Sequence, residues 1–175
     1  MWICNKDSFT KGKVHLKIIG SRDNILNIYF KNIEAYNWRE AIALKITKEQ
    51  EAYLPHSNLI SIAESKFYPK WTTLGIYKDE DIIGFSMYGP EDERDEEIWL
   101  IRYMIDEKYQ GQGYGKYALE KLIEKIKEET KCDRICLSFH PKSKSAKNLY
   151  SGLGFKQFIT GFEAEDEIFY KLEIE

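Results

Sequence analysis

Residues 98–123 read IWLIRYMIDEKYQGQGYGKYALEKLI, and no other segment limits this chain's fold so strongly. The first eight residues are nearly continuous in apolar side chains, as in a strand buried on both faces. Leu119, Leu122, Ile123 and Ile126 then recur at i, i+3, i+4 and i+7, with Lys and Glu between them, which predicts an amphipathic helix. Between strand and helix stand Gly111, Gly113 and Gly115. Without Cβ atoms, this backbone can turn its amides toward one point, where the helix also presents its positive dipole end. The segment therefore predicts a strand, an anion-holding loop and a helix in immediate succession.

The remainder of the chain predicts a fold around this unit. ILNIYFKNI is a first strand, and Asn37 followed by Glu40 resembles a capping box that opens a helix. SNLISIAESKF is a second helical stretch, ending before Pro69. TTLGIYK and IIGFSMYG, joined by the charged turn Asp79-Glu80-Asp81, predict an antiparallel hairpin that leads into the central strand. After the glycine helix come a strand, RICLSF, a short helix with Ala146, Leu149, Tyr150 and Leu153 on one face, and two closing strands, FKQFITGFE and EIFYKLEIE. A strand–helix–strand crossover makes its two strands parallel and right-handed, so the expected fold is a mixed α/β sheet.

Its length of 175 residues and 43% hydrophobic content suit one domain with one core. Residues 1–26 are expected to form an N-terminal extension outside the fold, with five basic side chains against two acidic ones, and 27–175 the domain. A net charge of -3 offers no electrostatic case for nucleic acid or an anionic membrane. No stretch approaches the roughly 20 apolar residues of a membrane span, and the start lacks a signal-like pattern, so a cytoplasmic location is expected. Cys4, Cys132 and Cys136 have neither disulfide-framework nor zinc spacing, and no metal is expected.

Spacing tests which anion the loop holds. A dinucleotide fingerprint needs Gly-x-Gly-x-x-Gly, and here the glycines fall one residue short. A nucleotide-triphosphate loop needs Gly-x-x-x-x-Gly-Lys-Ser/Thr, but Gln110 replaces its first glycine and Tyr117 its hydroxyl residue. What remains, Gln110-x-x-Gly113-x-Gly115, resembles the acetyl-CoA signature of the GCN5-related N-acetyltransferases (GNAT). Ala146-x-x-Leu149-Tyr150-x-x-x-Gly154-Phe155 resembles the family's second conserved helix. NWREAIAL, SIAESKFYP and FSMYG, with the central segment, resemble its bacterial diamine and spermine/spermidine acetyltransferase branch.

The resemblance implies a mostly antiparallel central sheet with flanking helices and one parallel strand pair that splays apart to admit the pantetheine arm of acetyl-CoA. It implies that backbone amides across Gln110, Gly111, Gln112, Gly113, Tyr114, Gly115 and Lys116 cradle the pyrophosphate. Tyr103, Met104 and Ile105 would bond the pantetheine amides as an added strand does, with a Tyr103 or Met104 amide facing the oxyanion. Ser143 stands where many relatives have Asn, and it and Lys147 would lie near the cofactor phosphates. Tyr150 is the implied acid: a phenol of pKa near 10 keeps a proton that a thiol leaving group of pKa about 8.5 can take up as thiolate.

The base is less defined. Ile101 and Arg102 occupy positions where polyamine acetyltransferases often carry acids, so Glu64 and Glu97 are the candidates, with Glu34 and Tyr36 bordering the acceptor wall. Arg102 either pairs with a core carboxylate or binds an acceptor that has an acid group of its own. The acidic run at 91–97 is either a solvated loop or a lure for cations. The expected acceptor is a small amine, di- or polyamines favoured. A protein or drug amine is the alternative, and a non-catalytic CoA sensor the alternative of another class. Family members often form homodimers.

Overall fold

A computed structural model of the protein describes residues 27–54, 57–91, 96–161 and 164–174. The proposed extension at 1–26 and the centre of the acidic run lie outside them. Seven strands form one sheet in the order β1-β2-β3-β4-β5-β7-β6. They are β1 (Ile28–Asn32), β2 (Thr72–Lys78), β3 (Asp81–Pro90), β4 (Glu97–Ile105), β5 (Arg134–Phe139), β6 (Lys156–Phe158) and β7 (Ile168–Glu173). Among the described residues five α-helices accompany them, α1 (Trp38–Ala43), α2 (Lys48–Glu51), α3 (Asn58–Glu64), α4 (Tyr114–Glu129) and α5 (Lys144–Ser151), with a 3-10 turn at Glu107–Tyr109. Every strand pair is antiparallel except β4 with β5, which α4 connects as the expected crossover. Among the described residues no helix is long and apolar enough to cross a membrane.

Two irregularities in β4 organise the centre of the molecule. The parallel ladder to β5 runs only through Glu97↔Arg134, Ile98↔Ile135 and Trp99↔Cys136. Beyond it the strands separate, so Leu100–Ile105 keep β3 on one side and have no strand on the other. The second irregularity is a bulge: Tyr88 opposes Leu100 and Met87 opposes Arg102, which leaves Ile101 as the extra residue. One additional residue reverses the facing of everything after it. Before the bulge, Ile98 and Leu100 join α4 residues Leu119, Leu122 and Ile126 in the main core. After it, Ile105 packs with Tyr114 and Ala118 of α4, while Met104 turns to the opposite face, with Ala41 of α1 and Phe85. Arg102, two positions from Met104, is carried to that opposite face.

Two expectations need correction. Asn37 does precede α1, but it does not cap it. Its Oδ1 accepts from the Glu34 amide at 2.8 Å, and its Nδ2 donates to the Asn32 carbonyl at 2.9 Å. The residue is 1% exposed, and its oxygen is taken by the buried turn after β1 rather than by the first N–H groups of α1. The first closing strand is also shorter than FKQFITGFE suggests, ending at Phe158.

Candidate active site

Where β4 and β5 part, a cleft of about 300 Å³ opens, lined by Leu100–Ile105 on one side and by Ser138, Phe139 and His140 on the other. At its far end lie Gln110, Gly111 and Gly115. Gly111 and Gly113 have φ of 73° and 87°, a left-handed backbone that side-chain-bearing residues adopt at a cost. A Cβ at either position would meet nothing within 4 Å, so the loop is open to the outside of the protein. Gly113 is the N-cap of the 16-residue α4 and provides no side-chain bond to its first turn. The leading N–H groups of that helix thus have no side-chain cap, an arrangement that can accept an anion.

Gln110 braces the approach. Its Nε2 donates to the Ile105 carbonyl at 2.8 Å and to Gln50 Oε1 of α2 at 2.9 Å. Asp106 pins the same corner: 5% exposed, it accepts from the Lys45 amide at 2.8 Å and the Lys108 amide at 3.1 Å. Gln112 bonds to the Lys108 carbonyl, Tyr114 is a core residue, and Lys116 is exposed beside Glu120. None of these three side chains lines the cleft.

Tyr150 enters the cleft from α5. It is 8% exposed, and its ring packs against Phe139 at 5.4 Å and Phe155 at 5.8 Å. Burial pushes its phenol above the ordinary tyrosine value, which keeps the hydroxyl protonated. Tyr103 is raised too, by desolvation first and the nearby Tyr150 second. Its hydroxyl donates to the Gly115 carbonyl at 2.6 Å, which ties β4 to the glycine loop. Ser143 stands at the N-cap position of α5 without a side-chain bond to its first turn and lines the cleft, whereas Lys147, farther along that helix, is exposed and does not.

The opposite face holds other chemistry. Arg102 is 7% exposed, its Nε has no hydrogen-bond partner, and it lines both this cleft and a second cavity beside α1 and α2. Burial lowers its pKa to about 10, partly offset by Glu64. Tyr53, in the turn after α2, packs at a tilt against His140 with ring centres 4.7 Å apart. Neither acid expected as a base lines the cleft. Glu64 is exposed at the end of α3. Glu97 stands at the closed end, where it accepts from Trp99 Nε1 at 2.9 Å and lies 3.7 Å from Arg134. A register pair with Arg134 holds it where the strands are still joined.

Several of these groups carry no signal in local spacing. Gln50, Tyr53, Asp106, Ser138 and His140 come from distant segments, and only the splay and the α1–α2 connection bring them to one place. Among the described residues, no group of three or more His, Cys, Asp or Glu could hold a metal ion. Cys132 and Cys136 are buried and free, and burial pushes the Cys136 thiol up to about 12, so it holds no thiolate near neutrality.

Residues 33–155 match the family described as the acetyltransferase (GNAT) family. The chain belongs to the GNAT acetyltransferases. This acetyltransferase is 33% identical over 136 residues to a spermine/spermidine N(1)-acetyltransferase of Bacillus subtilis (strain 168), a match over 75% of this chain and 89% of that protein. Its fold matches a GNAT acetyltransferase of Elizabethkingia anophelis with acetyl-CoA bound, at TM-score 0.60 and 18% identity, over 85% of this chain and 99% of that one. A Bacillus subtilis acetyltransferase in complex with CoA aligns at TM-score 0.63 and 16% identity, over 86% and 99%.

Proposed function

We propose that this acetyltransferase moves an acetyl group from acetyl-CoA to a primary amine of a small acceptor, with di- and polyamines such as spermidine the acceptor class. One observation carries the reading. The gap between Leu100–Ile105 and β5 begins at an uncapped helix N-terminus and ends between a protonated phenol and a polar face. A long thioester with an anionic head fits such a slot. The unpaired edge of β4 supplies strand-like hydrogen bonds for its amides, and the amides at Gly111–Gly115 suit its pyrophosphate.

Acetyl-CoA supplies the activated acyl carbon. Around it, Tyr150 and the acceptor face stand on opposite sides of the sheet. The ammonium first releases one proton to water; the neutral amine then attacks, the new N–C bond forms, the C–S bond breaks, Tyr150 passes its hydroxyl proton to the sulfur, and the second proton that the nitrogen sheds on becoming an amide restores the phenol through solvent. A backbone N–H of β4 near Tyr103 or Met104 is the candidate donor to the oxyanion. The polyamine preference draws on the relative named above. A second reading, an amine that carries its own carboxylate, draws on the unpartnered Arg102 Nε.

Thiol release from acetyl-CoA tests both, across spermine, spermidine, putrescine, amino acids, aminoglycosides and short peptides at low and high salt. Saturable turnover with polyamines is the expected result. Turnover confined to amino acids would replace the first acceptor class by the second. Acetyl-CoA binding without turnover of any amine would leave a CoA-binding module and end the enzymatic proposal.

A further inference from the structure

We propose that Glu167 is the counter-charge for the acceptor's ammonium, held in place by Ser138 at the β5 edge of the cleft. The proposal rests on the amine-acetylation reading above. Glu167 lies one residue before β7, whose Ile168 pairs with Phe139, so it sits beside the end of β5 where the cleft is open. The Ser138 hydroxyl donates to its Oε1, and Ser138 lines the cleft. The carboxylate is half-buried, and its described partner is that hydroxyl.

Facing and charge argue together. Ile135 and Leu137 point into the core beside Tyr150, so Ser138, on the alternate register, belongs to the face opposite the phenol. That is also the face of Arg102. An amine approaching there meets a guanidinium on the β4 edge, and among the described residues no carboxylate lines the cleft itself. Arg102 repels an ammonium, and Glu167, one hydrogen bond behind the opposite wall, attracts it. The pair sets a gradient across the cleft that delivers the nitrogen to the β5 side. Being partly desolvated, this attraction is stronger than a surface pair of the same charges.

Glu167→Gln keeps the shape and the oxygen that accepts from Ser138 while removing the charge. With spermidine as acceptor, its KM should rise tenfold or more, with kcat and the acetyl-CoA KM within twofold of the parent. Salt should raise the parent's spermidine KM and leave that of the variant nearly level, a dependence that a purely structural role would not produce. Glu167→Asp should recover part of the loss, and Ser138→Ala should raise the KM about threefold by loosening the carboxylate. Thermal melts confirm that each variant is folded. An unchanged spermidine KM in folded Glu167→Gln overturns the proposal and leaves the acetyltransferase reading intact. If the parent enzyme turns over no amine, that reading fails and this assignment fails with it.

Discussion

Tyr150 is the residue at which packing and chemistry can be separated. Its ring is held by Phe139 and Phe155, contacts that phenylalanine would reproduce, so Tyr150→Phe removes little but the hydroxyl. Steady-state kinetics should show kcat lower by roughly tenfold or more with acetyl-CoA binding little changed, because only the proton donor is lost. An unaltered kcat would exclude the phenol from the reaction. The motif around Tyr150 was legible in sequence. The acids were not, because a glutamate's role depends on what stands opposite it, and Glu97 stands opposite Arg134 rather than in the cleft.

At the scale of elements, the glycine loop and α4 behave as one device. Gly113 joins them with a positive φ, and alanine there would cost about 1–2 kcal/mol of backbone strain with no clash inside the protein. For a chain of this size, that strain lowers Tm by about 2–8 °C, on roughly 2–4 °C per kcal/mol. The added Cβ projects into the open side of the loop, so Gly113→Ala should weaken CoA binding about tenfold or more in a direct titration. A fall in Tm with unchanged CoA affinity would mean that the loop shapes the turn and holds no phosphate. The loop was readable because glycine spacing is local. The bulge at Ile101 was not, since nothing in IWLIRYMI distinguishes an extra residue from the next strand position until β3 pairs with it.

Across the whole molecule, the buried phenols connect the cleft to stability. Tyr88, Tyr103 and Tyr150 all have pKa values raised, with burial the first cause in each. In the unfolded chain such groups ionise near pH 10, whereas in the fold they hold their protons to higher pH. Above about pH 10 the folded state therefore binds more protons than the unfolded one, and stability declines as pH rises. Thermal melts between about pH 8 and 11 should fall at the alkaline end, and less steeply for Tyr150→Phe than for the parent. Parallel curves would show that Tyr150 ionises alike in both states. The sequence by itself determined the order of the strands, the parallel crossover and the glycine turn into α4, because periodicity and glycine spacing act over a few residues. Only the tertiary structure decided where β4 leaves β5, which face Arg102 takes, and that Ser138 meets Glu167. Those depend on strand register and on contacts between distant segments, which no local pattern encodes.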